Sequence, residues 1–177
     1  MKIYIYLICL ISAITVSCTQ NVKKAEVRDA PEIPDDWLYL DNDEYSIRYP
    51  QNWEVHKDFE GTDFCILSLP VSPDDLFREN VNLVIEEIGK EVSIDKYAAL
   101  SLKNLRKKYD VTDEKKYSVD GQEFYHLILK GKDNIYLKQN YLIKGKKVYI
   151  LTFAYESDEK EALKHEGDKI MVSFKIK

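Results

Sequence analysis

One strand near the C-terminus constrains the fold more than any other part of this 177-residue chain. From Lys147 to Tyr155 the side chains alternate with the period of two that is typical of a β-strand. Both alternating sets are apolar or nearly so: Val148, Ile150, Thr152 and Ala154 on one side, and Tyr149, Leu151, Phe153 and Tyr155 on the other. Because neither side is polar enough to face water, the strand must lie in a sheet that is covered on both faces.

The same alternation indicates further strands. They are predicted over Tyr45 to Tyr49, Phe64 to Leu69, Val81 to Ile88, Glu123 to Leu129 and Ile135 to Ile143. Asp120-Gly121 is a strong signal for a two-residue hairpin turn, so Tyr117 to Val119 is expected to pair with the strand that follows it. The successive strands predict an antiparallel meander.

Two helices complete the predicted domain. Ser93 is a suitable N-cap, and the apolar residues from Ile94 to Tyr109 recur at helical spacing. Ser157-Asp158-Glu159 is predicted to open a second helix, in which Gly167 is expected to be an irregularity. The predicted fold class is therefore α+β, an antiparallel sheet with a helix on each face, or α/β/α sandwich.

The first residues are typical of a secretory signal peptide. Ile3 to Val16 form an apolar run behind Lys2. As a helix, this run would span roughly 21 Å at about 1.5 Å per residue, less than the roughly 30 Å of a hydrocarbon core. We therefore interpret residues 1–17 as a signal peptide and not as a membrane span.

The motif Thr15-Val16-Ser17-Cys18 resembles the lipobox of bacterial lipoproteins, although Thr15 stands where those proteins usually carry Leu. The resemblance implies that Cys18 is acylated and becomes the mature N-terminus, so that acyl chains such as palmitate anchor the protein to a membrane. The residue directly after the cysteine is Thr19 and not Asp. By the same resemblance, the absence of Asp at this position favours the outer membrane, facing the periplasm. The alternative is ordinary cleavage after Ser17, which leaves Cys18 as a free thiol.

The chain from Cys18 onwards is predicted to consist of a tether and one domain. Residues 18–36 are polar and lack apolar periodicity, which predicts a tether, and residues 37–177 are predicted to form a single globular domain. Loss of residues 1–17 removes the charge of Lys2, so the formal net charge changes from −5 to −6. Because no basic tract is present, the sequence argues against nucleic-acid binding and against a polybasic membrane patch.

The opening and the end of the domain carry a family resemblance. Tyr45-Ser46-Ile47-Arg48-Tyr49-Pro50, followed by Trp53, opens it, and Ile170-Met171-Val172-Ser173-Phe174 ends it. With the late strand from Val148 to Tyr155, this pattern resembles the PsbP-like family, which shares its α/β/α sandwich with Mog-type Ran-binding proteins and DcrB-like bacterial lipoproteins. The resemblance covers residues 37–177 and includes no catalytic motif, so it implies an accessory or binding protein without a cofactor.

Few side chains suit catalysis near neutral pH: His56, His126, His165 and Cys65. His126 alternates with apolar residues and is expected to be packed, and Cys65 lies in an apolar strand, where cysteine acts as a small hydrophobe. Glu161 and His165 are four residues apart on the second helix, but two ligands are too few for a structural metal site. We therefore assign no catalytic, cofactor-binding or metal-binding residue from the sequence.

Two functional hypotheses remain. The first is a non-enzymatic lipoprotein, anchored through Cys18, that binds a protein partner in the cell envelope. The second is a hydrolase or small-ligand enzyme whose site forms only in three dimensions, around His126 or His56. A pocket that joins a histidine, a carboxylate and a nucleophile would favour the enzyme, and a filled core with a flat tyrosine-rich face would favour the binding protein.

The lipid anchor is directly testable. We expect the mature protein to begin at Cys18 and to carry acyl chains, because a cysteine stands where the apolar run ends. Mass spectrometry of the intact protein and of its N-terminal peptide measures both features. An unmodified Cys18, or a chain that retains residue 1, would remove the anchor.

Overall fold

The fold is given by a computed structural model that describes residues 25–70, 72–157 and 161–177. The helices of this part of the chain are α1 (Ile94–Leu105) and α2 (Glu161–Ser173). Its strands are β1 (Glu26–Val27), β2 (Leu38–Asp41), β3 (Tyr45–Tyr49), β4 (Glu54–Lys57), β5 (Phe64–Leu67), β6 (Asn80–Glu87), β7 (Asp110–Val119), β8 (Gln122–Lys130), β9 (Ile135–Lys144), β10 (Lys147–Glu156) and β11 (Lys175–Ile176).

Within the described ranges, eight strands form the main sheet, in the order β1-β7-β8-β9-β10-β6-β5-β4. Neighbouring strands are antiparallel except β1 and β7. The predicted meander is confirmed as β7 to β10, with β7 beginning at Asp110 and not at Tyr117. Strand β10 lies between β9 and β6, where Leu151 is opposite Asn140 on one side and Leu83 on the other. The α+β class is therefore confirmed.

A separate, smaller sheet was not predicted. In the described part of the chain it has three strands, in the order β11-β3-β2. The opening strand β3 lies in this small sheet, whereas β4, which follows it after a short turn, joins the edge of the main sheet. Strand β11 has only two residues, Lys175 and Ile176, opposite Ser46 and Tyr45. Two residues are too few to show a period, so periodicity could not reveal the pairing.

The alternation within β10 divides its side chains between two hydrophobic clusters. Tyr149, Leu151, Phe153 and Tyr155 belong to the larger cluster, which also includes Ile170 and Met171 of α2 and Ile47 of the small sheet. Ile150 packs against the smaller cluster, which includes Ala98 and Leu102 of α1 and Leu127 of β8. Both sets of β10 side chains are thus withdrawn from water. Trp53, which follows the opening strand, is also buried in the larger cluster.

Helix α1 begins as predicted at Ser93. The Ser93 Oγ accepts a hydrogen bond of 3.3 Å from the backbone N–H of Lys96, which satisfies one of the donors left free at a helix N-terminus. The helix ends at Leu105, before the apolar spacing runs out at Tyr109. The predicted opening of the second helix at Asp158 and Glu159 lies outside the described residues.

Gly167 is not the irregularity that we predicted, because α2 runs unbroken from Glu161 to Ser173. The glycine instead allows the helix to approach β10 closely. A Cβ atom at position 167 would lie 2.2 Å from Cζ of Phe153. The absence of a side chain lets the helix rest directly on the Phe153 ring.

Part of the segment predicted as a tether packs against the domain. Glu26 and Val27 pair in parallel with Tyr117 and Ser118 of β7, and Ile33 packs against the larger cluster. The carbonyl oxygen of Pro34 accepts a hydrogen bond of 2.7 Å from Arg48. Pairing with β7 and burial of Ile33 are long-range contacts, which the polar composition of the segment did not reveal. The boundaries at residues 17, 18 and 37 stay predictions.

The close contact at Gly167 predicts a mutational effect. We expect Gly167→Ala to lower the free energy of unfolding by about 1–2 kcal/mol, because overpacking typically costs about 1–3 kcal/mol and alanine restores up to about 1 kcal/mol of helix propensity. Denaturant unfolding of the variant measures the change.

Two further variants identify the cause. Gly89→Ala is the matched control, since a Cβ at that position meets no atom within 4 Å and the variant should keep the stability of the parent protein. Phe153→Leu in the Gly167→Ala background should be less destabilising than the sum of the two single changes, because the smaller side chain makes room for the methyl group. Strict additivity would contradict a steric contact between these positions.

Candidate functional site

A cavity of about 310 Å³ lies on the α2 side of the main sheet, beside strands β7, β8 and β9. Its polar lining consists of Arg28, Lys115, Tyr117, His126, Lys138, Asn140 and Asp168, with Asp29 also contributing. Apolar side chains, among them Ile128 and Met171, complete the walls. The strands, helix α2 and the segment after β1 each contribute, so we call this cavity the His126 pocket.

Sheet register brings the central polar groups together. His126 on β8 is directly opposite Asn140 on β9 and Lys115 on β7. The Nδ1 atom of His126 lies 2.7 Å from Oδ1 of Asn140, and Nδ2 of Asn140 donates a hydrogen bond of 3.0 Å to the hydroxyl oxygen of Tyr117. The three side chains form one hydrogen-bonded chain in the wall of the pocket.

The bond to Asn140 defines the tautomer of neutral His126. Since the amide oxygen only accepts, Nδ1 of His126 must carry the proton, which leaves Nε2 as an acceptor. In the described ranges, Nε2 has no hydrogen-bond partner. Burial lowers the pKa of His126, because the charged ring would lose its hydration, and nearby Lys115 and Lys138 act in the same direction. The imidazole is therefore neutral at pH 7.

Tyr117 is held on both faces of its ring. The ring stacks on Phe124 with centroids 5.0 Å apart, and the Arg28 guanidinium lies 4.6 Å from the ring centroid. Burial raises the pKa of Tyr117 to about 12, so its hydroxyl is protonated at neutral pH. Because its oxygen already accepts from Asn140, the Tyr117 hydroxyl proton is left to donate into the pocket.

A salt bridge joins β9 to α2 at the side of the pocket. Nζ of Lys138 lies 2.6 Å from Oδ1 and 2.8 Å from Oδ2 of Asp168, and the Lys138 side chain is only 15% exposed. Asp168 follows Gly167 directly, so the close approach of α2 to Phe153 also brings this carboxylate to the lysine. The same ammonium group lies 5.2 Å from the centroid of the Tyr155 ring.

The other cations of the pocket also have partners. Arg28 pairs with Glu26 at 2.7 Å, and Lys115 pairs with Asp113 at 2.5 Å. The lining residues Arg28, Asp29, Lys115, Lys138 and Asp168 have a formal charge of +1, and adding Glu26 and Asp113 makes it −1. The pocket therefore has little net charge and does not strongly select an anion or a cation.

Cys65 and His56, the remaining reactive pair, are opposite each other on β5 and β4. The sequence did not indicate this pairing. His56 is exposed and contacts the ring of Phe59, whereas Cys65 is buried as predicted, and burial raises the pKa of its thiol to about 11. A thiol that stays protonated is a poor nucleophile, so this pair is not an activated dyad.

The remaining sequence candidates stand apart from the pocket. His165 is exposed on α2. Across the described residues, no three side chains of His, Cys, Asp or Glu converge as a metal site would require. No helix in this part of the chain is long and apolar enough to cross a membrane. The predicted acylation site, Cys18, lies outside the described residues.

Sequence reasoning singled out one candidate residue of the pocket, His126, which it expected to be packed and also named as a centre of the alternative enzyme site. Burial confirms the packing, as the side chain is 9% exposed. Tyr117, Lys138, Asn140 and Asp168 were missed because they come from three elements, β7, β9 and α2, none of which carries His126. No local pattern singled out Asn140, because the polar residues Lys138 and Gln139 precede it in the same strand. Only its burial, at 1% exposed, shows that the amide has to be hydrogen-bonded.

Several solved structures have a similar fold. The solution structure of the cyanobacterial PsbP protein (CyanoP) of Synechocystis sp. PCC 6803 has a TM-score of 0.58 and 15% sequence identity, and the match covers 80% of this chain and 93% of that one. LpqN of Mycobacterium tuberculosis, described as involved in cell envelope biogenesis, has a TM-score of 0.58 and 14% identity, with 75% of this chain and 82% of that one covered. PA94 of Pseudomonas aeruginosa, of unknown function, has a TM-score of 0.55 and 12% identity, with 77% of this chain and 94% of that one covered. At these identities the likeness shows the fold alone.

The sequence comparisons match the chain to a protein family. A protein-family model described as PsbP-like protein matches residues 5–176. No curated protein matches the chain.

The neutral state of His126 predicts how stability depends on pH. Because the folded pKa is lowered, the unfolded chain binds the proton more readily below the ordinary histidine pKa of about 6.5. The contribution of neutral His126 to stability is therefore complete above that pH and is lost as the pH falls. We expect the free energy of unfolding to fall between about pH 7.5 and 5, and this fall to be smaller in His126→Gln.

The surrounding charges and a control define the measurement. The groups that face His126 are Lys115 and Asp113 from β7, Lys138 from β9, Asp168 from α2, and Arg28 and Asp29 from the segment after β1. The control is His165→Gln, which replaces an exposed histidine. Denaturant unfolding at a series of pH values should show the same dependence of stability on pH in this variant as in the parent protein. If His126→Gln also keeps that profile, His126 does not titrate as described.

Proposed function

The chain belongs to the PsbP-like family, and on this premise we propose that it is a non-enzymatic accessory protein of the bacterial cell envelope, anchored to a membrane by lipid on Cys18. The family consists in general of accessory proteins and not of enzymes. In this proposal the His126 pocket is a binding site, and the anchor holds it at the periplasmic side of the outer membrane.

The observation that carries the proposal is the hydrogen-bonding of His126. Its Nδ1 lies 2.7 Å from the amide oxygen of Asn140, and the same amide donates to the Tyr117 hydroxyl oxygen, so the imidazole is paired with an amide and not with a nucleophile. Catalytic histidines act on a nucleophile within hydrogen-bond reach. Among the described residues that line the pocket there is no Ser, Thr or Cys. Such a site supports binding better than covalent chemistry.

The position of Cys65 agrees with this reading. An amide can orient a histidine that acts on a cysteine, so the distance from His126 to the thiol matters. Four strand spacings of about 4.8 Å separate β8 from β5, or roughly 19 Å. Cys65 is therefore far out of reach of His126.

The packed segment after residue 25 gives the anchor a geometric consequence. Glu26 pairs with β7, so seven residues, 19–25, lie between it and an acylated Cys18. At roughly 3.3–3.6 Å per residue, the eight steps from Cys18 to Glu26 reach about 29 Å at full extension. The proposed anchor would hold the β7 side of the domain, and with it the His126 pocket, close to the membrane surface.

One further observation supports a place in the envelope, and another supports the expected protein partner. LpqN, which has a similar fold, is described as involved in cell envelope biogenesis. The domain also offers a surface for the expected protein partner, because Leu38 and Tyr39 are exposed on β2, an edge strand of the small sheet. An exposed edge can accept an added strand from another protein.

The alternation of the main sheet supports an α/β/α sandwich, with α1 and α2 on opposite faces.

A hydrolase or small-ligand enzyme is the second candidate, and one observation favours it. His126 presents Nε2 in a pocket that also contains the Lys138–Asp168 salt bridge. A catalytic base there would have to activate water. Among the described lining residues the only hydroxyl or thiol belongs to Tyr117, whose high pKa opposes a role as nucleophile.

Complementation of a deletion strain with an envelope defect tests the proposal. We expect the parent protein to complement and Cys18→Ala to fail or complement poorly, because the unanchored domain is diluted through the periplasm. A variant with His56→Gln, His165→Gln and Cys65→Ser should complement fully and serves as the matched control. Full complementation by an unacylated Cys18→Ala protein would contradict the need for an anchor.

Raising the expression level of His126→Gln distinguishes a defect in binding from a defect in catalysis. A binding defect in His126→Gln should be overcome by higher expression, because occupancy follows mass action. Loss of a catalytic base typically lowers the rate by about 10²–10⁴, which modest overexpression does not restore. A folded His126→Gln protein that fails at every expression level would favour the enzyme.

A further inference from the structure

We infer that the His126 pocket binds a neutral carbohydrate of one or two sugar rings. The inference rests on the proposed function, because it takes the pocket to bind its ligand without transforming it. It adds the chemical class of the ligand, which the pattern of donors and acceptors in the pocket indicates.

The pocket offers donors and acceptors side by side. Nε2 of His126 accepts, while the Tyr117 hydroxyl, whose oxygen is already engaged by Asn140, donates. At the side of the pocket, Lys138 uses two of its three N–H donors on Asp168, and the carboxylate retains accepting capacity. A hydroxyl group is the common ligand group that both donates and accepts, so adjacent hydroxyls match this wall.

Charge argues against an ionic ligand. Arg28, Lys115 and Lys138 are each paired with a carboxylate from the protein. An anion would have to compete with these carboxylates, and a cation would meet three positive side chains. A neutral ligand neither competes with these carboxylates nor is repelled by the positive side chains. Its hydrogen bonds to charged side chains are among the stronger ones.

Size and apolar lining complete the match. The volume of about 310 Å³ is at the lower end of the range for small-molecule sites. Ile128, Val119 and Met171 supply apolar walls. A sugar ring has hydroxyls at its rim and C–H groups on its faces, so it can meet the polar wall and the apolar walls at once. Long acyl chains or aromatic ligands would leave the polar wall unpaired, which is costly.

Ligand-observed NMR on the full-length protein tests the inference. The protein is purified in a zwitterionic detergent, because sugar-based detergents would compete. The probes are N-acetylglucosamine and its β-1,4-linked dimer, for glycan of the cell-wall type, and glucose, mannose and maltose, for hexose polymers. We expect at least one group to bind, and the group that binds identifies the source of the sugar.

One-atom variants locate the binding. Tyr117→Phe should weaken affinity about tenfold, because it deletes the hydroxyl donor and leaves the ring between Phe124 and Arg28. Tyr125→Phe is the matched control, since Tyr125 is on the same strand as His126 but faces the cluster with α1 and should bind sugar as the parent does. If Tyr117→Phe fails to fold, Arg28→Gln, on the segment after β1, takes its place with an expected loss of severalfold.

The outcomes separate the ligand class from the proposed function. Failure of all five sugars to bind at 10 mM, or tighter binding of inorganic phosphate or acetate than of any sugar, overturns the carbohydrate inference and leaves the anchor and complementation results untouched. Sugar binding that Tyr117→Phe and Tyr125→Phe weaken equally also overturns it. Conversion of a bound sugar to a product would support the ligand class and contradict the non-enzymatic function.

Discussion

The rest of the structure depends on strand β10, which has no side that can face water. Tyr149, Leu151 and Phe153 require cover on one side, and Ile150 requires it on the other. Buried apolar area contributes about 25 cal/mol per Å², so large side chains on both sides make cover on both sides the stable arrangement. The first set packs in the cluster that includes Ile170 and Met171 of α2, and Ile150 packs against the cluster that includes Leu102 of α1.

The contact between Gly167 and Phe153 links this packing to the pocket. Because α2 rests directly on the Phe153 ring, Asp168 reaches Lys138 on β9. Helix α2 lies over β10, β6 and β3 and leaves the polar positions of β7, β8 and β9 at its side. The segment from Arg28 to Pro31 borders that space. The pocket is therefore a consequence of where the helix cover ends.

A shared fold at 12–15% identity is consistent with this account. The main sheet is specified by alternation and by cover on both sides, and many different apolar residues satisfy those requirements. Neither alternation nor cover on both sides specifies the polar groups of the pocket. Likeness in fold therefore carries no information about His126, Asn140 or Tyr117, and the function of this site has to be argued from its own geometry.

The sequence by itself determined the elements whose pattern is local. Periods of 2 and 3.6 residues, the N-cap at Ser93 and the Asp120-Gly121 turn gave most strands, α1, the hairpin and the α+β class, because each signal lies within a few adjacent residues. The lipobox-like motif at Cys18 is likewise local, and it stays a prediction.

Only the tertiary structure decided which distant residues meet. The small sheet pairs Lys175 with Ser46, and β1 joins β7 from within a segment that composition assigned to a tether. The role of Gly167 depends on a ring fourteen positions earlier in the chain, and the chain of bonds from His126 to Asn140 to Tyr117 depends on the register of three strands. Register and packing are set by the whole core at once, so no local pattern contains them.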